Sequence, residues 1–363
     1  MSAMSDAAAR PDTKGSDHLH AEREVAERLA REAGALLQDH LRRGLTVDEK
    51  TPDDPVTAAD REASELIVSG LFDAFPHDGV LSDEAADNAE RLTRRRVWII
   101  DPIDGTREYV AGTPDYCVSI GLAIDGRPAL GVVYAPAAGD LYSGVVGVGV
   151  WKNGVPSGFS DRPLEQGIIA VSDTEHAREL KGYALPNMAP SGSIAYKLAR
   201  VACGEADATF TINPRSEWDI AAGMALVEAA GGVVTRRSGS GIPLNATRPR
   251  IRRGLIGGRP DVVAWLRAKL TEVQMPEQQL YLKRGDSVWT LLPEAEAERL
   301  AGQAHLHVRH KGGQIEALIL IERRGGDWDI ERAEGDPFAL KTLATDLQRE
   351  YGRLDLSVLP GGG

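Results

Sequence analysis

Acidic side chains form four groups in the first 220 residues of the chain. They are Asp60, Asp83 with Glu84, Asp101 with Asp104, and Asp219. Taken singly, each group also fits an ordinary structural role, because Asp caps helix N-termini and stabilises turns. Taken together, they are candidates for a site that binds a cation.

The segment from Asp101 to Thr106 carries the strongest chemical signal. An apolar run, Val97 to Ile100, predicts a buried strand that ends at Asp101. Asp104 follows across Pro102, so both carboxylates can point into one space, where they repel each other unless a cation lies between them. Mg²⁺ prefers oxygen ligands of this kind. Gly105 and Thr106 add backbone N–H groups and a hydroxyl suited to a phosphate oxygen.

The hydrophobic pattern predicts the elements that position these residues. Helices are expected at about 17–43, 59–75, 193–203 and 219–230. Strands are expected at 97–100, 117–124, 129–134, 141–151, 208–211 and 233–235, with turns at Asp125-Gly126 and Asn153-Gly154. Strands and helices mix without strict alternation, which predicts layered sheets and helices rather than one doubly wound sheet.

A length of 363 residues predicts two or three structural units. Residues 1–16 are polar and Ala-rich and are expected to be disordered, 17–272 form the main domain, and 278–363 form a small α+β domain. Strands at 281–291, 305–310 and 316–322 and a helix from Pro337 are expected in this last part. This last domain could mediate self-association, as in a homodimer, or bind a partner, or it could be a passive appendage.

Charge and composition restrict the partners. The formal net charge is −12, which disfavours nucleic acids and anionic membranes, since both attract basic surfaces. No apolar run approaches the roughly 20 residues of a membrane span. An apolar signal segment is not expected at the N-terminus, and two isolated cysteines indicate a reducing compartment. A cytoplasmic protein is therefore expected.

Several motifs together resemble those of the inositol monophosphatase-like family of metal-dependent phosphatases. The similarity spans about residues 20–270 and rests on the segments 55–60, 81–84, 98–106, 218–223 and 228–232. It implies an α/β (α+β) layered sandwich of the sugar-phosphatase type. The small C-terminal α+β domain lies outside the similarity. It also implies in-line attack of a metal-activated water on a phosphate monoester.

The resemblance assigns metal ligands by position. It implies that Asp101, the carbonyl of Ile103, Asp104 and Asp219 bind two or three Mg²⁺ ions, and that Li⁺ and Ca²⁺ inhibit. The family has Glu as its loop acid where this chain has Asp83. Because Asp has a shorter reach, Glu84 is an alternative ligand.

Catalytic roles are implied in the same way. Thr106, with Asp60 or Asp83, would position and deprotonate the attacking water. The phosphate would be held by Gly105, Thr106 and the N-terminus of the helix at Asp219. Asp104 and Asp219 would also contact the substrate.

The substrate is suggested by residues after the core motif. Arg107-Glu108-Tyr109 resembles the CysQ-type 3′(2′),5′-bisphosphate nucleotidases, which makes adenosine 3′,5′-bisphosphate the first expectation and inositol phosphate or another sugar phosphate the second. Ser193 and Lys197 would meet the nucleoside, and Arg215 a second phosphate, although a helix cap and solvated cations explain these residues equally well. A phosphate sensor with weak turnover is the alternative from another class.

Overall fold

The computed structural model describes most of the chain in separate stretches. These are residues 19–44, 47–51, 54–85, 88–178, 180, 185, 187–251, 254–272, 280–283, 289–292, 304–311, 314–324, 327–335 and 337–351. The stretch 1–16, expected to be disordered, lies outside the described residues. The chain divides into two compact units, with the boundary between Lys269 and Leu270.

The helices of the first unit include all those that the sequence predicts. They are α1 (His20–Arg43), α2 (Ala58–Ala74), α3 (Thr106–Ala111), α4 (Asp173–Arg178), α5 (Ile194–Ala202), α6 (Glu217–Ala229) and α7 (Pro260–Glu272). The four predicted helices correspond to α1, α2, α5 and α6. The short helices α3 and α4 were not predicted. Within the described part of the chain, no helix is long and apolar enough to cross a membrane.

The larger sheet of this unit runs through seven strands in sequence order. They are β3 (Gly79–Ser82), β4 (Arg96–Asp104), β5 (Cys117–Ile124), β6 (Arg127–Ala135), β7 (Asp140–Val145), β8 (Gly149–Lys152) and β9 (Val155–Ser157). The β3–β4 pair is parallel and the others are antiparallel. Both predicted turns are confirmed: Asp125, Gly126, Asn153 and Gly154 all have positive φ, as two-residue hairpin loops require.

The two faces of this sheet pack against different helices. Trp98 and Ile100 belong to a buried cluster with the apolar residues of α1 and α2. Val97 and Ile99, which alternate with them, belong to the cluster that contains α5 and α6. Successive side chains of a strand point to opposite faces, so the continuous apolar run of β4 reflects a strand that is buried on both sides.

A second, five-stranded sheet completes the layers. Its strands, in spatial order, are β11 (Met188–Ser191), β10 (Ile169–Ser172), β12 (Ala208–Thr211), β16 (Leu255–Gly258) and β14 (Val233–Arg236). Apolar residues of this sheet share the buried cluster of α5 and α6. Two small antiparallel pairs are β1 (Val47–Thr51) with β2 (Asp54–Thr57), and β13 (Arg215–Ser216) with β15 (Arg250–Ile251). The order of layers is helices, sheet, helices, sheet, which confirms the predicted layered sandwich.

Three glycines form a row across the larger sheet beneath α6. Gly121 pairs with Gly131, and Gly131 pairs with Gly144. A Cβ at Gly131 would lie 2.1 Å from the backbone oxygen of Ala222, and one at Gly121 would lie 2.8 Å from the Ala222 nitrogen. Both distances are shorter than any real Cβ contact, so α6 rests directly on the sheet backbone.

The described residues of the second unit form two sheets and a helix. Strands β17 (Leu280–Lys283) and β18 (Trp289–Leu292) form one antiparallel pair. Strands β19 (Ala304–Lys311), β20 (Gln314–Arg324) and β21 (Asp327–Gly335) form the other sheet, and α8 (Pro337–Tyr351) follows. The prediction of one strand over 281–291 is wrong, since the chain reverses between β17 and β18. Strand β21 was not predicted, because its many charged residues obscure the alternation of apolar and polar residues that is typical of a strand.

Candidate active site

Asp101 and Asp104 lie on the same strand, and an irregularity separates them. Asp101 pairs with Ser119 of β5, whereas Asp104 pairs with Cys117, so residues 102 and 103 of β4 lie opposite the single residue Val118 and β4 has one extra residue. Such a bulge bends a strand and redirects its side chains. The sequence predicts that the strand ends at Asp101 in a Pro turn. This is wrong: β4 continues to Asp104, because a bulge accommodates a proline, which has no N–H for the sheet.

The chain turns sharply directly after Asp104. Gly105 has φ 98°, a conformation that glycine adopts without strain, and a Cβ there would lie 3.0 Å from the Asp115 carbonyl oxygen. Helix α3 begins at Thr106, whose hydroxyl donates to the Ile103 carbonyl oxygen at 3.1 Å. The Asp-Gly-Thr sequence therefore places a carboxylate, a close-packed backbone and a hydroxyl side by side.

A cavity of about 390 Å³ opens at this point. Most of the residues predicted for the site line it: Asp83, Asp101, Ile103, Asp104, Gly105, Thr106, Ser193, Arg215 and Asp219. Lining residues that were not assigned a role are Arg107, Glu108, Ser172, Thr174, Gly192, Ile194 and Asn213. Residues from five separate segments of the chain thus meet at one cavity.

Each of the three central carboxylates uses one oxygen for a protein hydrogen bond. Asp101 Oδ1 accepts from the Ile103 N–H at 2.9 Å, and Asp219 Oδ2 accepts from the Ser216 N–H at 2.9 Å. Asp104 Oδ2 accepts from the Ser193 hydroxyl and from the Ala195 N–H, both at 2.6 Å. In the described contacts, the second oxygen of each carboxylate is left for a ligand in the cavity.

Burial and the neighbouring acids raise the pKa of two of the carboxyl groups, Asp101 and Asp219. Burial raises the pKa of Asp101 well above its ordinary value, and the charges of Asp83, Asp104, Asp219 and Asp60 raise it further. Burial, followed by the charge of Asp104, raises the pKa of Asp219 to about 7. A buried group of like charges is unfavourable in the ionised state. A cation among these carboxylates would remove that cost.

The donor set fits a hard divalent cation. Carboxylate oxygens, the Ile103 carbonyl and water are the ligands that Mg²⁺ takes, and the mutual repulsion of the acids is the observation that favours a cation here. Over the described ranges, no three His, Cys, Asp or Glu side chains already surround one point as a metal cluster. The carboxylates of Asp101, Asp104 and Asp219 instead lie along the cavity wall, and each accepts a hydrogen bond from the protein.

Three predicted residues lie outside the described lining of the cavity. Asp60, in the first turn of α2, is buried, and its charge acts on Asp101. Glu84 is half-buried and does not line the cavity, whereas its neighbour Asp83 does. The backbone N–H of Asp83 donates to the Ile100 carbonyl at 3.2 Å, which ties the loop to the end of the buried strand.

Lys197 lies behind the cavity wall. Its side chain is fully buried, and its ammonium group donates to the carbonyl oxygens of Ser191, at 3.1 Å, and Gly192. Burial, followed by the charge of Arg215, lowers the pKa of Lys197 to about 8. The substrate contact expected from the sequence is replaced by support of the loop that contains Gly192, because the side chain points into the interior.

A buried acid that sequence reasoning missed holds Arg215 at the cavity. Glu175 accepts from the backbone N–H of Ile212 at 3.2 Å and of Asn213 at 3.3 Å, and from Arg215 at 3.4 Å. It lies on the unpredicted helix α4, within a polar segment that shows no helical periodicity. Only the tertiary structure identifies its role.

Comparison with known proteins agrees with this geometry. The layered fold and the acid-lined cavity are those of a metal-dependent phosphatase. Residues 18–272 match the inositol monophosphatase family, and the chain belongs to that family.

Individual relatives match between 58% and 70% of the chain. An inositol monophosphatase of Mesembryanthemum crystallinum is 33% identical over 60% of this chain and 86% of its own length. A histidinol-phosphatase of Chlorobaculum parvum is 38% identical over 58% of this chain and 83% of its own. The crystal structure of the extragenic suppressor protein SuhB from Bartonella henselae matches with a TM-score of 0.62 and 29% identity, over 70% of this chain and 99% of that one.

Proposed function

We propose that this protein is a Mg²⁺-dependent phosphomonoesterase that acts on a small, strongly polar alcohol phosphate, with inositol monophosphate as the leading substrate. The observation that carries the proposal is the meeting of Asp83, Asp101, Asp104 and Asp219 beside Thr106 in one cavity. Family membership supports the reaction class. The names of two relatives, an inositol monophosphatase and a histidinol-phosphatase, support phosphate esters of small alcohols.

The residues divide into ligands and groups that handle the water. Asp101, the Ile103 carbonyl, Asp104 and Asp219 would hold the cations, with Asp83 as the loop ligand. Bound Mg²⁺ would supply a water of lowered pKa and stabilise charge on the phosphoryl oxygens. Thr106, with Asp60 or Asp83, would orient that water and accept its proton, and the backbone of Gly105 and Thr106 would hold the phosphate.

The lining of the cavity supports a hydrophilic substrate. Ser172, Thr174 and Asn213, whose side chains carry hydroxyl or amide groups, line the cavity together with the acids. In the described lining no aromatic side chain is present on which a nucleobase could stack. A polyol offers many hydroxyls to such a surface.

A bisphosphate nucleotidase is the second candidate, and two cations favour it. Arg107 and Arg215 are the basic residues of the described lining, and Arg side chains bind phosphate groups through several donors. Arg107 also belongs to the Arg-Glu-Tyr segment that resembles the nucleotidases. A second phosphate on the substrate would use these cations.

A substrate panel with and without Mg²⁺ tests both candidates. The panel contains inositol 1-phosphate, histidinol phosphate, fructose 1,6-bisphosphate and adenosine 3′,5′-bisphosphate, and kcat/KM is compared. We expect turnover that a chelator abolishes and that Mg²⁺ restores, with inositol 1-phosphate preferred. Preference for the adenosine compound, together with its loss in Arg215→Gln, would establish the second candidate. Binding of phosphate without turnover of any compound would indicate a sensor.

A further inference from the structure

Asp104 is attached to α5 by two donors that converge on one oxygen. The Ser193 hydroxyl and the Ala195 N–H both lie 2.6 Å from Asp104 Oδ2. Ser193 precedes α5 as its N-cap, whereas Asp104 lies on β4. Both residues line the cavity. One helix turn therefore holds a carboxylate that belongs to a different element.

The hydrogen bonds of Ser193 fix the direction of its hydroxyl. The Ser193 Oγ accepts from the Tyr196 N–H at 2.9 Å and lies 3.2 Å from Cys117 Sγ. A hydroxyl has one hydrogen and two acceptor positions. An ionised Asp104 can only accept, so the Ser193 hydrogen points to Asp104 and the Cys117 S–H points to Ser193. Every position of this hydroxyl is then occupied.

The segment before the helix is itself held in place. The Ser193 N–H donates to the Asp115 carbonyl at 3.0 Å, and the Lys197 ammonium group donates to the carbonyls of Ser191 and Gly192. Ser193 and Ala195 are buried. Rotation of the Asp104 carboxyl would break two short hydrogen bonds at once and leave the buried Ala195 N–H without its acceptor, which is costly.

From these contacts we infer that the first turn of α5, through the Ser193 hydroxyl and the Ala195 N–H, is the positioning device for Asp104, and directs its second oxygen to the cation. The inference rests on the proposed role of Asp104 as a Mg²⁺ ligand. It gives Ser193 a role different from the nucleoside contact expected from the sequence. Partners that orient a metal ligand commonly change metal affinity or activity by roughly 10- to 100-fold when they are removed.

The experiment measures Mg²⁺ binding by isothermal titration calorimetry, without substrate, on the wild-type protein and on Ser193→Ala. Ser193→Thr, which keeps the hydroxyl, is the conservative variant. Ser143→Ala removes a buried hydroxyl from β7, outside the cavity lining, and is the matched control. If Ser193→Ala fails to fold, Ser193→Gly replaces it, since glycine is well accepted at N-caps.

We expect the Mg²⁺ affinity to fall about tenfold or more in Ser193→Ala, to recover in Ser193→Thr, and to stay unchanged in Ser143→Ala. Unchanged Mg²⁺ affinity in Ser193→Ala, with only a lower Tm, would show that Ser193 is a helix cap and overturn the inference. Asp104→Asn separates this failure from failure of the proposed function. If wild type and Asp104→Asn bind Mg²⁺ equally, Asp104 is not a ligand and both proposals are wrong.

Discussion

The hydroxyl of Thr106 donates to the carbonyl oxygen of Ile103 at 3.1 Å, so two groups proposed for different tasks share one hydrogen bond. The carbonyl has a second lone pair for a cation. The hydroxyl oxygen has acceptor positions for a water. Thr106 can therefore accept a hydrogen bond from the attacking water while it donates to Ile103, a proposed metal ligand, without moving its side chain.

Replacing Thr106 with Val tests this arrangement. Val keeps the shape of the side chain and removes the hydroxyl, so we expect kcat to fall by about 100-fold or more, the usual size of a lost proton-transfer contact. Thr106→Ser should retain most of the activity. Steady-state kinetics give kcat for each variant, and a Tm measurement checks that each variant is folded. Similar kcat values for wild type and Thr106→Val would exclude Thr106 from the handling of water.

The loop acids can be ranked by exchanging each for its amide. Asp83 lines the cavity and its charge raises the pKa of Asp101, whereas Glu84 lies outside the described lining. We therefore expect Asp83→Asn to weaken Mg²⁺ activation strongly and Glu84→Gln to change it little. The concentration of Mg²⁺ that gives half-maximal activity is the quantity to measure. A larger effect of Glu84→Gln would reverse the assignment.

The metal-free protein should become less stable as the pH rises. The pKa of Asp219 is about 7 in the folded protein, above its ordinary value of 3.8, so the folded state binds this proton more tightly than the unfolded state. The resulting stabilisation is complete below about pH 4 and is lost as the pH rises through 7. We expect Tm with a chelator to fall between pH 5.5 and pH 8.

Two comparisons isolate the contribution of Asp219. Asp219→Asn, which cannot ionise, should show a flatter dependence of Tm on pH. Added Mg²⁺ should raise the Tm of the wild-type protein more at pH 8 than at pH 5.5, because it binds the ionised form. An equal slope in wild type and Asp219→Asn would mean that other groups control the pH dependence.

Removal of the second unit should leave the first unit folded and active. Every residue of the described cavity lining falls between Asp83 and Asp219, and a chain that ends at Glu272 keeps the whole of α7. We expect phosphate release close to that of the full chain. Light scattering on both chains tests whether 278–363 mediates a homodimer. A soluble but inactive truncated protein would show that the second unit completes the site.

The sequence was most informative where chemistry and structure depend on the same few neighbouring residues. The segment from Asp101 to Thr106 was predicted to belong to the site, and all but Pro102 of these six residues line the cavity. The bulge in β4 could not be predicted, because it depends on the register with β5. The contacts of Glu175 and the hydrogen bonds that Asp104 accepts from Ser193 and Ala195 were missed for a related reason. The partners are distant in the chain: Thr211 is 36 residues from Glu175, and Ala195 is 91 residues from Asp104.

The row of Gly121, Gly131 and Gly144 sets the distance between the two halves of the site. Helix α6 carries Asp219, and the sheet carries Asp101 and Asp104. The helix backbone rests on Gly121 and Gly131, and the side chains of Leu226 and Ala229 pack on Gly144. Gly131→Ala would push the helix outward and separate the carboxylates, although Gly131 does not line the cavity. In a survey of natural or laboratory variants, substitutions at these glycines would lower the activity as much as substitutions at catalytic residues do. Libraries aimed at a new substrate specificity should leave all three unchanged.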